Sequence, residues 1–520
     1  MQFPIVAAAL LLFAQDVRFH EKIEVRLVEV DAVVTDREGH RVYGLTADDF
    51  EVYEGRAKQT ITNFAEYRAP VEGTPAPEGS APVASAVPAR SREPHSLVIL
   101  LDSLPQKDFV RQKVFQQLEQ TLATTVHPGD HVSVVLWNGY ANPRTIVESS
   151  DAEVVMSAVR DFGSRMPAEM GVDPDQQGDQ EAAAYASHPE IAARDKIAGF
   201  GGQTTISRDL ADEAAVMQFH RKTAVIARLI ANLGARPGRK ALLYVSQKFK
   251  LEGEPSKITA KRYVDEIVAA ANAYGVVFYA ARPFMPDDMG DASEPSEKFV
   301  DADDWMLNAG ALQRVTDGTG GLLEFARSSV GTLGPEIAAD LESYYSLAYQ
   351  AKSDGGDRVR NVTVKAKNPA YRVRNRRSVV EKSAATKARE AVVSRLFVDE
   401  GANDIQVEVR EGALKKTSGN RWLLPLVVRI PLGQLQFAEE RGHQVAHAAV
   451  LIASANGVAE VTPVTEQELT IADPHDPNGF ISYSVEILGD KRGSKVSIGL
   501  VDRRTGAIGV QTIDNRGRFH

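Results

Sequence analysis

The stretch Leu97-Val-Ile-Leu-Leu101, followed by Asp102-Ser103-Leu104-Pro105-Gln106, decides the fold class of this chain. Five consecutive apolar residues bounded by polar ones predict a strand buried on both faces, which is typical of a parallel sheet covered by helices. Asp102 comes directly after that strand and before a predicted helix. Because open α/β sheets place ligand and metal sites at the carboxyl ends of their strands, Asp102 is the first candidate for a functional residue.

The chain beyond Asp102 alternates short apolar strands with helical patterns. We predict buried strands over residues 132–137, 241–246, 276–280 and 321–325, with Arg144–Glu148 as a short edge strand. This alternation predicts an α/β fold with a doubly wound, mostly parallel sheet. We assign residues 96–350 to this domain and take Tyr344–Gln350 as its last strand.

Strand-forming segments flank the α/β domain on both sides. Residues 21–68 form a predicted N-terminal β module, and residues 351–380 contain further strands. Neither flank is large enough to close a core alone, so we expect the two to pair into one module. Residues 392–520 contain strands between Gly, Asn and Asp turns, which predicts a C-terminal β-sandwich.

Two segments near the amino terminus do not have the composition of a folded domain. Residues 69–95 are rich in Pro, Ala, Ser and Gly and are predicted to form a disordered linker, because they have little to bury. Residues 1–14 are apolar, too short to span a bilayer and end on Ala14, which favours a cleaved signal peptide over a buried first strand. We therefore expect a secreted or periplasmic protein with no transmembrane segment.

The overall composition excludes several functions. The formal net charge of -10 argues against nucleic acid as a partner, since nucleic-acid binding needs a basic field. The chain has no cysteine, which excludes disulfides, thiol nucleophiles and thiolate metal sites. The densest basic run, Arg372-Val-Arg374-Asn-Arg376-Arg377, is interpreted as the solvated edge of a strand.

Several phrases carry a resemblance to a known family. They are Val33-Val-Thr-Asp-Arg-Glu-Gly39, Pro237-Gly-Arg-Lys-Ala-Leu-Leu-Tyr-Val-Ser246, Asp317-Gly-Thr-Gly-Gly321 and Tyr344-Tyr-Ser-Leu-Ala-Tyr349. Because these phrases occur in this order, the chain resembles the von Willebrand factor A-related proteins of Acidobacteria over about residues 21–380. The resemblance implies a von Willebrand factor A-like domain in an exported bacterial protein that acts in adhesion, scaffolding or envelope interaction.

The resemblance also implies where a divalent cation would bind. Such domains hold it with an Asp-x-Ser-x-Ser loop, a threonine from a second loop and an aspartate after the fourth strand. Asp102 and Thr204 match this pattern, but Leu104 and Gln106 replace the two serines, and Ser246-Gln247 offers no carboxylate. Since Mg²⁺ prefers several hard oxygen ligands, we expect a degenerate site with weak Mg²⁺ binding or none, and no other cofactor.

The function expected from these residues is binding rather than catalysis. The chain lacks the serine-hydrolase, zinc-protease and phosphate-loop motifs, so no catalytic residue is assigned. A protein or an envelope polymer is the expected partner, contacting Ser103, Gln106, Thr205, Ser246 and Gln247 at the strand ends. Two alternatives stay open. One is a hydrolase of envelope or extracellular polymers, which is suggested by the neighbouring Asp130 and His131. The other is a purely architectural spacer.

Overall fold

The computed structural model describes most of the chain and leaves out its amino terminus and several connections. The described residues are 25–68, 94–102, 104, 108–137, 143–165, 205–234, 236, 238–246, 249, 256–283, 302–326, 333–352, 357–396, 403–417, 421–456, 461–490 and 494–515. The predicted signal peptide, residues 1–14, and nearly all of the predicted linker, residues 69–95, lie outside them.

The elements follow one another in four groups. The first contains β1 (Val25–Thr35), β2 (Phe50–Glu54), β3 (Ala57–Gln59) and β4 (Ile61–Tyr67). The second contains β5 (Ser96–Asp102), α1 (Asp108–Thr125), β6 (His131–Trp137), β7 (Arg144–Ser149), α2 (Ala152–Arg165), α3 (Thr205–Gly234), β8 (Lys240–Ser246), α4 (Ser256–Tyr274), β9 (Val276–Pro283), α5 (Ala302–Thr319), β10 (Leu323–Ala326) and α6 (Leu333–Glu342).

The third group contains β11 (Tyr344–Lys352), β12 (Arg358–Ala366), β13 (Arg372–Asn375), β14 (Ser378–Glu381) and α7 (Ala384–Ser394). The fourth contains β15 (Glu408–Glu411), β16 (Lys415–Lys416), β17 (Arg421–Pro431), β18 (Ala438–Glu440), β19 (His443–Asn456), β20 (Thr465–Ala472), β21 (Phe480–Asp490), β22 (Ser494–Asp502) and β23 (Ile508–Asp514).

The second group forms a six-stranded sheet in the order β10-β9-β8-β5-β6-β7. All neighbouring strands are parallel except β6 and β7, which are antiparallel. Side chains of β5 enter two different cores, Leu97, Ile99 and Leu101 on one face and Val98 and Leu100 on the other. The first face is covered by α1, α2 and α6, and the second by α3, α4 and α5. The predicted α/β class with a largely parallel sheet is confirmed.

The strands on both sides of this domain build one β module. One sheet has the order β13-β1-β11-β4 and the other β14-β12-β2-β3, so each sheet contains two strands from before the α/β domain and two from after it. Their common core includes Val30, Phe50, Tyr345, Leu347 and Val362. Strand order thus ties the amino-terminal segment to residues more than 300 positions later in the sequence.

Strand β11 differs from the sequence-based assignment of residues 96–350 to the α/β domain. It pairs with β1 and β4 in the β module, and not with a strand of the six-stranded sheet. The reason lies in its alternation, because Tyr345, Leu347 and Tyr349 share one face of the strand and all three enter the module core. The described α/β domain therefore ends with α6.

The fourth group forms two further antiparallel sheets around a core of their own. One contains β15, β16, β17 and β21, and the other β18, β19, β20, β22 and β23. Helix α7 lies against β19 and β22 on one side and against α3 on the other. Val392 of α7 is completely buried, and its side chain fills the space where Gly499 of β22 has no Cβ. Among the described helices, none has the length and apolar character needed to cross a bilayer.

Candidate functional site

The described part of the chain contains three of the predicted site residues. Asp102 ends β5 and lies beside Ser246, which ends the neighbouring parallel strand β8. Thr205 is the first residue of α3. Ser103, Gln106, Thr204 and Gln247 lie outside the described residues, so the structure brings together Asp102 and Ser246.

The Asp102 carboxylate is completely buried and is surrounded by hydrogen-bond donors. Its Oδ2 accepts a hydrogen bond from the Ser246 hydroxyl at 3.3 Å and a shorter one from the Tyr244 hydroxyl. The Lys222 ammonium lies 2.9 Å from the same oxygen. These donors come from the adjacent strand β8 and from the covering helix α3, so the folding of the domain itself assembles the cluster.

Lys222 is the feature of this site that the sequence analysis missed. Its side chain is only 9% exposed, and Asp102 is its buried counter-ion. A signal was present in the sequence, because Lys222 lies three residues after Phe219 and four before Ile226, which are both buried. A lysine on the apolar face of a helix needs a buried anion, since an unpaired charge there would cost several kcal/mol.

Tyr244 supports the same carboxylate. Burial, and next the negative charge of Asp102, raise the pKa of the Tyr244 hydroxyl well above its ordinary value. The phenol therefore stays protonated and acts as a donor over the whole physiological range. Its ring lies 5.5 Å from that of Phe249 and 6.0 Å from that of Phe278, which holds the hydroxyl in place.

This donor set fits a divalent cation poorly. A Mg²⁺ ion needs oxygen ligands with free lone pairs, and Lys222, Tyr244 and Ser246 all direct their donors at one oxygen of Asp102. Among the described residues, Asp36, Glu38 and His40 form a group in which the three ligand atoms lie within 4.8 Å of one another. This group lies in an exposed turn, far along the chain from Asp102. At the end of β5, the Lys222 ammonium contacts the carboxylate that was predicted as a metal ligand.

A second buried carboxylate, Asp340 of α6, links the α/β domain to the β module. Arg374 of β13 donates to its two oxygens at 2.6 and 2.7 Å, and Arg41, which follows β1, donates to Oδ1. Tyr279 of β9 completes the cluster at 2.8 Å. Burial works to raise the pKa of Asp340, but the charges of Arg374 and then Arg41 outweigh it and lower the pKa below its ordinary value.

The interpretation of the basic run at residues 372–377 as a solvated edge was wrong for half of its arginines. Arg372 and Arg377, at the two ends of the run, are exposed, whereas Arg374 and Arg376 between them are partly buried in the seam between the two domains. The two inner arginines are covered because they contact the α/β domain: Arg374 donates to Asp340, and Arg376 donates to the backbone carbonyl of Asn272.

Asp130 and His131, the pair that motivated the hydrolase alternative, have separate partners. Asp130 accepts hydrogen bonds from the backbone N–H groups of His95 at 2.8 Å and His127 at 3.0 Å, which fixes the turn before β6. The His131 ring lies 3.2 Å from a carboxylate oxygen of Glu148 on β7. Both side chains thus have structural partners at the amino end of the sheet.

Comparisons with known proteins add a weak structural likeness. No family model matches the chain, and no curated protein matches it. An aerotolerance-related membrane protein from Bacteroides fragilis has 12% identity and a TM-score of 0.23, with 47% of this chain and 98% of that one covered. The human COPII-coat protein Sec24c has 8% identity and a TM-score of 0.23, with 58% and 47% covered. A structural-genomics target has 17% identity and a TM-score of 0.16, with 22% and 84% covered. Similarity at this level identifies no activity.

Proposed function

We propose that the chain is an exported, non-enzymatic binding protein that acts in adhesion or as a scaffold. In this proposal a von Willebrand factor A-like domain presents the carboxyl ends of its strands to a protein or an envelope polymer, without a metal ion. The observation that carries the proposal is the buried pair of Asp102 and Lys222 at the end of the central strand β5.

The arrangement of the α/β domain supports the von Willebrand factor A-like assignment. The sheet has one antiparallel strand, β7, at its edge, and helix α2 and then the long helix α3 follow the β6–β7 hairpin. Helices on both faces leave the strand ends as the natural place for a ligand, because the loops there can vary without disturbing the core.

Charge neutralisation within the domain supports metal-independent binding. In a metal-dependent adhesion site the cation bridges the domain carboxylate and an acidic group of the partner. Here Lys222 balances the charge of Asp102 inside the protein, at 2.9 Å. The partner is then recognised by the shape and hydrogen bonds of the surface around the strand ends, in which Ser103, Gln106, Thr205 and Gln247 are the proposed contact residues. Ser246, also expected as a contact, is buried and donates to Asp102, so it supports this surface from below.

The test is capture of an envelope component by the purified protein, with and without a chelator. Partner capture should be the same in Mg²⁺ and in EDTA, and it should fall when a bulky side chain is introduced by Gln106→Trp or Gln247→Trp. Lys58→Trp in the exposed β3 of the β module is the matched control, because it lies on another domain. Capture that requires Mg²⁺ would contradict the metal-independent mechanism.

Two outcomes of the same preparation would favour the other functions. Hydrolysis of envelope polymer by the purified protein, abolished by Asp130→Asn in a folded variant, would favour a hydrolase. Failure to capture any envelope component, together with unchanged behaviour of both Trp variants, would favour a spacer. Secretion is tested separately, since cleavage near Ala14 would give a mature protein that begins close to Gln15.

A further inference from the structure

A cavity of about 300 Å³ lies in the seam between the α/β domain and the β module. Its lining includes Lys240 and Val276, the first residues of β8 and β9, so it lies at the opposite end of the parallel sheet from Asp102. The charged side chains around it are Glu29, Asp31, Arg239, Lys240, Arg374 and Arg376. Two separate domains therefore contribute charged groups to one cavity, which is partly open to solvent.

Arg239 has a carboxylate partner within this cavity. Its side chain is 5% exposed and lies 3.2 Å from the Asp31 carboxylate. The guanidinium carbon also lies 4.0 Å from the centre of the Tyr344 ring, a cation–π contact that fixes the plane of the group. Its Nε is buried without a hydrogen-bond partner, so its donor capacity is not fully used.

Arg376 and Lys240 have no carboxylate partner of their own among the described residues. Arg376 donates to the backbone carbonyls of Asn272, at 3.1 Å, and Glu29, while its Nε is buried without a partner. Lys240 donates to the carbonyl of Gly238 at 3.2 Å. Burial lowers the pKa of both groups, although the negative charge of Asp31 partly opposes it.

The charges that line the cavity do not balance. Four cations line the cavity, and one of them, Arg374, is neutralised by Asp340, which does not line it. The other three, Arg239, Lys240 and Arg376, face two carboxylates, Asp31 and Glu29, which leaves one positive charge in excess. Asp31 pairs with Arg239, and the Glu29 carboxylate accepts a hydrogen bond from Ser346 at 2.5 Å. Lys240 and Arg376 are partly buried, so an unbalanced positive charge there carries a desolvation cost, and a bound anion would reduce that cost.

We propose that this cavity binds a small oxyanion, a phosphate or carboxylate group on a compact molecule, with Lys240 and Arg376 as the contacting cations. Its volume lies at the lower limit of small-molecule sites, which suits a phosphate or a small dicarboxylate. A guanidinium presents parallel donors that match two oxygens of either group, and an ammonium supplies a point charge beside it. This proposal is independent of the function proposed for the Asp102 end of the sheet.

The test is titration calorimetry of the full chain with phosphate, pyrophosphate, malonate and citrate at constant ionic strength. We expect at least one of these oxyanions to bind, and Lys240→Gln to weaken its binding at least tenfold. Arg376→Gln should have a similar effect. Arg377→Gln is the matched control, because Arg377 is the next residue but is 69% exposed and pairs with Asp317 outside the cavity.

A change of opposite sign makes the test sharper. Asp31→Asn removes a negative charge from the cavity while it keeps the shape of the side chain, so it should tighten anion binding severalfold. Lys240→Gln keeps the proposal testable if Arg376→Gln fails to fold, since the Lys240 ammonium bonds to a single carbonyl. Absence of binding by all four anions, binding unchanged in Lys240→Gln, or an equal loss in Arg377→Gln would each overturn the proposal.

Discussion

Two buried carboxylates in this protein are neutralised in different ways. One belongs to the candidate binding site, and the other joins two domains. Asp102 is paired with Lys222 and hydrogen-bonded by Tyr244, all within the α/β domain. Asp340 of the same domain is paired with Arg41 and Arg374, which both belong to the β module. The first cluster can therefore form in the α/β domain alone, whereas the second forms only when the two domains are joined.

The largest expected effect is that of removing the charge of Asp340. Asp340→Asn leaves Arg374 and Arg41 in the seam without their anion, and we expect a loss of about 3–5 kcal/mol in the free energy of unfolding. Urea unfolding measures it. Glu336→Gln is the matched control, since Glu336 lies 3.4 Å from Arg41 but is 57% exposed. That change should cost less than about 1 kcal/mol. Equal losses would show that Asp340 does not join the domains.

The Asp102 cluster should respond more weakly to the same kind of change. Asp102→Asn leaves the Lys222 ammonium buried without a counter-ion but keeps an oxygen for Tyr244 and Ser246, so we expect a loss of about 3 kcal/mol. In the double variant Asp102→Leu with Lys222→Met no charge is left unpaired, and its loss should be smaller than that of either single change. Losses that simply add would mean that the two residues do not form a pair.

The contribution of the Asp340 ion pairs to the free energy of unfolding depends on pH, and its sign can be predicted. The pKa of Asp340 is lowered from its ordinary value of 3.8, so its contribution is fully present above that pH and is lost as the pH falls through the lower, folded value. The gap in unfolding free energy between the wild type and Asp340→Asn should therefore be constant from pH 7 to about pH 5 and narrow below about pH 4. Paired urea titrations at several pH values measure this gap. A gap that widens towards acid would contradict the assignment.

The elements that the sequence predicts well are those whose pattern is local. The run at 97–101 is apolar throughout because both faces of β5 are buried, and this pattern is visible without knowledge of any other strand. The flanking strands were harder to place. In β11 the alternating Tyr345, Leu347 and Tyr349 predict a strand, but the sequence does not say which sheet the strand joins, since its partners β1 and β4 are far away in the chain.

The candidate site was predictable in position but not in chemistry. The carboxylate at the end of a buried strand identifies Asp102 as the residue to examine. Its counter-ion comes from the middle of α3, and Lys222 contacts Asp102 only because that helix crosses the sheet at this point. The seam arginines show the same limit. The spacing of Arg374 and Arg376 predicts that they share a face, but only the arrangement of the domains turns that face inwards.

The smallest expected effect is that of Mg²⁺ on the wild-type protein, and it separates an ammonium-filled site from a metal site. If the dissociation constant is about 10 mM, 1 mM Mg²⁺ stabilises the fold by less than about 0.1 kcal/mol, and the melting temperature should not change measurably. Lys222→Ala should behave differently, because it leaves the Asp102 carboxylate without its cation. We expect 10 mM MgCl₂ to raise the melting temperature of this variant more than NaCl of equal ionic strength does. Micromolar Mg²⁺ binding by the wild type, abolished by Asp102→Ala, would instead restore metal-dependent adhesion as the function of this face.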